Sequence, residues 1–332
     1  MAAEPSEPKD EASTAPGSGK RGAHRWFAGL SGNLQGALLM VASGVGFTVY
    51  LVLAKQMSAT VHPVFLAFWR AAIGLLFTAP LILRVGPSIF RTAQLPLIFL
   101  RSLFGTFGFI LSLIAVSDFF SLPLAQFNAL SFSRPLFVTI LAALLLGEIV
   151  GPRRWGAVMV GFFGVLVMAV PGVVLFWLPQ GDSAISFDLG AALAIASAFA
   201  FAGAIVLVKQ LSGGHSPAQL LIWANLLSTL LLLGPAVWYW SDPGLAGWGL
   251  ILAMSIAGLG AQFCYITAMS RGDASFLAPM DYLRLPMAAL ADWLLFRLLP
   301  GVYVWAGAAI IVGSTLYIAW REARMRGPRR DD

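Results

Sequence analysis

Apolar residues gather in ten long runs, near 34–54, 63–83, 95–117, 122–146, 155–177, 189–208, 217–239, 247–269, 274–296 and 302–320. Each is close to the roughly 20 residues a helix needs to cross a hydrocarbon core. None alternates polar and apolar positions as a barrel strand does, so the runs predict membrane-crossing helices. The joining segments 55–62, 118–121, 147–154 and 297–301 are short, which makes helices adjacent in sequence neighbours in space. Residues 1–31 are rich in Ala, Ser, Pro, Gly, Glu and Lys and predict a disordered tail. Trp26 to Leu30 is too short an apolar stretch for a signal peptide and belongs at the headgroup level.

Composition agrees with a bilayer as the solvent. Of 332 residues, 59% are hydrophobic and 11% charged, against about 25% charged in a soluble domain. A soluble enzyme is thereby excluded. The net charge of +6 is spread through loops and a short basic tail, 321–332, without a basic domain, so nucleic acid is not an expected partner. Cys264 is the one cysteine, and His24, His62 and His215 fall in the tail or in loops. Neither a disulfide framework nor a metal site can be assembled from them, and no cofactor is expected.

Lysine and arginine set the orientation. With the N-terminus in the cytoplasm, only Lys55 and Arg297 fall on the far side of the membrane, Arg70, Arg134 and Arg284 lie within spans, and all others of the 21 are cytoplasmic. That asymmetry predicts both termini inside. Arg101, about six residues into its span, counts as cytoplasmic by snorkelling toward the interface.

The chain also repeats itself. Residues 36–58 and 190–212 share eleven identities at a constant offset of 154, among them Ser43 with Ser197, Phe47 with Phe201 and Lys55 with Lys209. Later the offset drifts to 150, pairing Arg134 with Arg284 and Trp155 with Trp305. Five spans per half, an odd number, oblige the second half to enter the membrane from the opposite side. The expected fold is therefore an all-α membrane protein of ten transmembrane helices, built as two inverted five-helix repeats, 32–178 and 187–320. Such repeats expose a midplane site alternately to either face.

Charge inside a membrane is costly, about 2.5 to over 10 kcal/mol for a central arginine, so each such residue needs water, a partner or a function. Arg134 and Arg284 both fall near the midplane, approached from opposite directions, while Arg70 is shallower. Asp281, Arg284, Ala288 and Asp292 recur at helical spacing along one stripe, as do Phe127, Ser131 and Arg134. These stripes predict a water-filled cavity in which Arg134, Arg284, Arg70, Ser131 and Gln126 bind substrate. Asp281 and Asp292 are candidates for coupling to protons or another ion; Asp281 can alternatively pair with Arg284 three residues on. Asn128, Asn225 and Gln262 are further hydrogen-bonding candidates, and Pro135, Pro279 and Pro286 can break the helical ladder beside a cavity. Gly105, Gly108, Gly161, Gly164, Gly258 and Gly260 read as packing positions.

From Arg134 onward the chain resembles the EamA-type branch of the drug/metabolite transporter superfamily. The resemblance rests on Pro135, the Gly147–Glu148 pair ending that helix, and Gly161 and Gly164 in the next. Phe68, Trp69 and Arg70, and the helix from Arg101 to Val116, are similar to the family as well. It covers residues 34–320 and implies a metabolite transporter in a bacterial inner membrane, with Glu148 in a gating role. The second half departs from the pattern, with Arg297–Leu298 where the Gly–Glu pair should recur. The small multidrug-resistance relatives exchange protons for cationic drugs through a first-helix glutamate, and no carboxylate stands in the first helix or its copy.

The expected function is a secondary transporter moving a small anionic or zwitterionic metabolite by alternating access, with the lipid bilayer as its setting. Export of cationic drugs or amines is the alternative; a membrane-embedded transferase lacks a nucleophile or acid–base pair. A homodimer stays open beside a monomer.

Overall fold

The computed structural model describes residues 30–147, 151–169, 188–211, 213–271, 277 and 280–325. Glu148 with its expected gating role, Pro279, the segment 170–187 and the tail residues 1–29 and 326–332 lie outside the described residues.

Every regular element among the described residues is helical. In chain order they are α1 (Gly32–Met57), α2 (Pro63–Val85), α3 (Leu95–Val116), α4 (Leu124–Ser131), α5 (Arg134–Leu146), α6 (Pro152–Ala169), α7 (Leu189–Leu211), α8 (Pro217–Trp238), α9 (Gly244–Arg271), α10 (Arg284–Ala291) and α11 (Val302–Met325). A 3-10 turn, Pro87–Phe90, follows α2, and a single π turn, Asp292–Phe296, follows α10. Seven segments are long and apolar enough to cross a membrane, the fourth comprising α4 and α5 together, and two shorter apolar helices, Trp155–Ala169 and Val302–Ile318, accompany them. Leu76, Phe77, Leu144, Leu230, Phe263 and Leu295 are all more than half exposed, and so are many other large apolar side chains. In a multi-pass membrane protein, that surface faces lipid.

Local chemistry starts the second helix of each half in the same way. Pro63 and Pro217, 154 apart, open α2 and α8, where a missing N–H costs nothing. The preceding residues cap them: His62 Nδ1 accepts the Val64 N–H at 3.3 Å, and Ser216 Oγ accepts the Gln219 N–H at 3.2 Å.

The fourth run is not one helix. Its ladder breaks at Phe132–Ser133, immediately before Arg134–Pro135, because Pro135 has no N–H to give to the Ser131 carbonyl and its ring crowds that oxygen. The bonds around the break shorten in register, with Ser133 N–H on Leu130 O and Leu136 N–H on Ser133 O. A break also stands 150 residues later, at Tyr282–Leu283, with Pro286 in the first turn of α10. Phe132 and Tyr282, counterparts at that offset, meet edge to face at 4.8 Å.

Helix pairing follows the offset too. α1 packs along α9 and α3 along α7, so that exchanging the halves turns one pairing into the other. α2 packs on α8 and α6 on α11, each pairing a helix with its own counterpart, while α4 packs on α10, the counterpart of α5. Close approach is bought with glycine at the α6–α11 contact, where a Cβ on Gly161 would sit 2.4 Å from Leu136 and 2.7 Å from Ser314 Oγ. The end of the bundle near Gly32 is called proximal below and the end near Met57 distal.

Lys55, expected in a loop, is instead in the last turn of α1 and buried. Its ammonium donates to Leu122 O at 3.3 Å and lies 4.7 Å from the Phe296 ring. Asp292 is likewise fully buried. Its Oδ2 accepts the Ala125 N–H at 2.8 Å, supplying from the second half the cap that Pro123 cannot give α4.

Candidate functional site

A cavity of about 580 Å³ lies between the halves, within the usual range for small-molecule sites. Four arginines reach it. Arg134 and Arg284 each stand at the first position of a helix that follows a break, where the first-turn amides of Leu136 and Phe137, and of Leu285 and Met287, bond back across the break. Two guanidinium groups facing one cavity make it attractive to anions.

The guanidinium groups cross between the halves. Arg134 lies over the Phe201 ring of α7 at 4.7 Å, and Arg284 over the Phe47 ring of α1 at 5.2 Å. Phe47 and Phe201 are counterparts at offset 154, as Arg134 and Arg284 are at 150, so one contact is the other with the halves exchanged. Cation–π contacts of this kind contribute about 0.5–2 kcal/mol each and leave the guanidinium edges free for a ligand. Arg284 is also ion-paired with Asp281 and donates from Nε to the Asp281 carbonyl at 3.3 Å. Arg134 Nε is buried without a partner.

Arg70 reaches the cavity from α2. It is 6% exposed, and its guanidinium carbon is 3.6 Å from the Phe109 ring centroid and 5.7 Å from that of Tyr50. Arg101 lines the cavity from α3 with its Nε buried and unpartnered. Thr106 and Ser228 bridge α3 and α8 at 2.7 Å along the same wall.

Of the residues singled out in the sequence, the cavity brings together Arg134, Arg284, Arg70, Ser131 and Asp281. Gln126 and Asp292 are not in its lining. Gln126 Nε2 instead donates to Met168 O at 3.4 Å and to Asp188 at 3.3 Å, tying α4 to the distal ends of α6 and α7. The softer candidates Asn128, Asn225 and Gln262 do line the cavity. Sequence reasoning missed Arg101 and Tyr265. Arg101 looked like a snorkelling cation because it is near a span's end, and Tyr265 carries no signal in an apolar run.

Comparison with known proteins places these features in a family. The chain matches the EamA-like transporter family over residues 34–170 and 188–320. It is similar to a riboflavin transporter of Vibrio cholerae, 33% identical over 89% of this chain and 97% of that one. It is also similar to a pseudopaline exporter of Pseudomonas aeruginosa, 28% identical over 86% of this chain and 95% of the relative. An S-adenosylmethionine uptake transporter of Rickettsia prowazekii is 26% identical over 90% of this chain and 97% of its own length.

Proposed function

The chain belongs to the EamA-like transporter family and is a membrane transporter rather than an enzyme; from that premise we propose that it carries a small anionic or zwitterionic metabolite by alternating access. The observation that carries this reading is the crossing of Arg134 onto Phe201 and of Arg284 onto Phe47. A site whose cationic contacts repeat under exchange of the halves presents similar chemistry whichever way the bundle opens, as alternating access requires.

The architecture we propose is ten spans in two inverted halves, 32–178 and 187–320. Support comes from the separate family match to each half, the paired breaks before Arg134 and Arg284, and the helix pairings that survive the exchange. Cytoplasmic termini are favoured by the lysine and arginine distribution, and a bacterial inner membrane by the relatives. Asp281 is our candidate for the coupling carboxylate. It is ion-paired with Arg284, and an incoming anionic group competes for that arginine and frees Asp281 for a proton. Asp292 acts elsewhere, holding the distal end shut through α4.

Riboflavin is the uncharged comparison, since Phe47, Phe127, Phe201 and Tyr265 offer flat faces for a fused ring without a charge for the arginines. S-adenosylmethionine is the first cargo to test, its carboxylate matching the arginines and its cationic end Asp281. Thermal denaturation of the purified protein should shift upward with at least one compound from a panel of riboflavin, S-adenosylmethionine, small carboxylates and lipophilic cations. Arg134→Gln and Arg284→Gln should each weaken that ligand tenfold or more. Stabilisation by riboflavin or lipophilic cations alone, or wild-type affinity in both variants, contradicts the proposal.

A further inference from the structure

The cavity holds polar atoms that the midplane arginines do not account for. Arg70, Tyr50 and Asn225 are 6%, 4% and 7% exposed, all three line the cavity, and each has a buried polar atom without a partner: Nε, the phenol oxygen and Nδ2. They are neighbours. Arg70 lies over the Tyr50 ring, and Asn225 Oδ1 rests against Gly74, one turn along α2 from Arg70, where a Cβ would come within 3.0 Å of it. No Asp or Glu among the described residues pairs with Arg70, whereas Arg284 has Asp281.

Their chemistry is one-sided. A guanidinium can only donate, an amide nitrogen donates, and a phenol donates or accepts, so together they lack an acceptor bearing negative charge. A buried guanidinium without a counter-charge is unstable in hydrocarbon and is stabilised by a charge-assisted bond to an oxoanion.

The repeat says why this pole differs from the midplane. Arg70 has Ala224 as its counterpart, and Asn225 has Ala71; both alanines also line the cavity. The arginines at 134 and 284 and the phenylalanines at 47 and 201 obey the exchange of halves, while the pair Arg70 and Asn225 breaks it. Residues that obey it serve a cycle that must work from both faces. Residues that break it make the bound cargo lie one way round.

We propose that a carboxylate or phosphate group of the cargo docks at Arg70, Asn225 and Tyr50, off the axis relating the halves, and that this pole selects cargo and fixes its orientation. The inference rests on the transporter reading above and names the chemical group recognised at that same site. It also predicts a residue effect that a structural arginine would not have. Removing an uncompensated buried charge leaves the unliganded protein as stable as wild type or more so, yet removes oxoanion binding.

The test uses the full chain in lipid nanodiscs, with succinate and inorganic phosphate as separate oxoanion probes, riboflavin 5′-phosphate as an oxoanion on a ring, and riboflavin as its uncharged partner. At least one oxoanion should stabilise the wild type, and Arg70→Gln should weaken it tenfold or more while leaving riboflavin within twofold. Arg70→Lys should recover part of the loss, and Asn225→Ala should weaken the same probe about threefold. Succinate alone responding marks the pole as a carboxylate site; phosphate and riboflavin 5′-phosphate alone mark it as a phosphate site. The proposal is overturned if no oxoanion stabilises the wild type, or if Arg70→Gln binds the oxoanion normally. It is overturned too if Arg70→Gln melts well below wild type and weakens riboflavin and oxoanions alike. Should Arg134→Gln lose ligands while Arg70→Gln keeps them, the pole falls and the transporter reading stands.

Discussion

His62 lies outside the spans and joins two jobs at the distal end. Its Nδ1 caps α2, and its ring stacks on Tyr239 at 3.8 Å, against Phe119 on its edge. Burial holds its pKa below the usual 6.5. The folded state therefore binds the proton less readily than the unfolded one, so the contribution of this histidine is complete above about pH 6.5 and is lost as the pH falls through and below that value. Protonation at Nδ1 also removes the acceptor that caps the helix, a contact of about 1 kcal/mol. Denaturation of the wild type followed from pH 7.5 to 5.5 should show this loss; His62→Asn, which keeps a capping acceptor, should flatten the profile. An unchanged slope in that variant would assign the acid sensitivity to other groups.

Much of the site at this scale is legible in the sequence. Ionisable residues within apolar runs are rare enough that Arg70, Arg134, Asp281 and Arg284 stand out, and all four line the cavity. The sequence places Lys55 in a loop, yet Lys55 and Asp292 are both buried, because Leu122 and Ala125 fold against them from 67 and 167 residues away. Gln126 and Asn225 are the same kind of side chain in the same kind of run. Only tertiary packing decides that one ties helices together and the other faces the cavity.

At the scale of elements, the broken fourth helix of each half brings its arginine to the cavity. Pro135 and Pro286 signal it in the sequence, but the length of the run from 122 to 146 argues for one continuous helix, and the break becomes visible only in the structure. Glycines divide in the same way. The sequence assigns Gly105 and Gly161 alike to packing, yet a Cβ at Gly161 collides with Leu136 and Ser314 while one at Gly105 meets nothing within 4 Å and would enter the cavity. Gly161→Leu should destabilise the protein by about 1–3 kcal/mol through overpacking, seen as a lower denaturation midpoint. Gly105→Leu should leave that midpoint nearly unchanged and abolish ligand stabilisation. Equal losses of stability in both would remove the distinction between packing and cavity glycines.

At the scale of the whole molecule, the two halves are alike where they must be and different where direction enters. The paired breaks and the crossed arginine contacts repeat, while Asp292, which accepts the Ala125 N–H across the halves at the distal end, has Ala142 as its counterpart. Losing that carboxylate leaves the Ala125 N–H without its acceptor and Lys55 with Asp118 as its negative neighbour. Hydrogen bonds to charged groups contribute about 1.5–3 kcal/mol, enough to shift a balanced equilibrium between two open states by tenfold or more.

Accessibility of the cavity from each side of the membrane measures this directly. In a Cys264→Ser background, Gly105→Cys places a lone thiol in the cavity, and a membrane-impermeant maleimide is applied to oriented vesicles from one side at a time. The account predicts labelling from both sides, slowed by bound ligand, with Asp292→Ala accelerating the distal reaction about tenfold and slowing the proximal one. Labelling from one side only, in the presence of Asp292→Ala as well as without it, would contradict alternating access through this cavity.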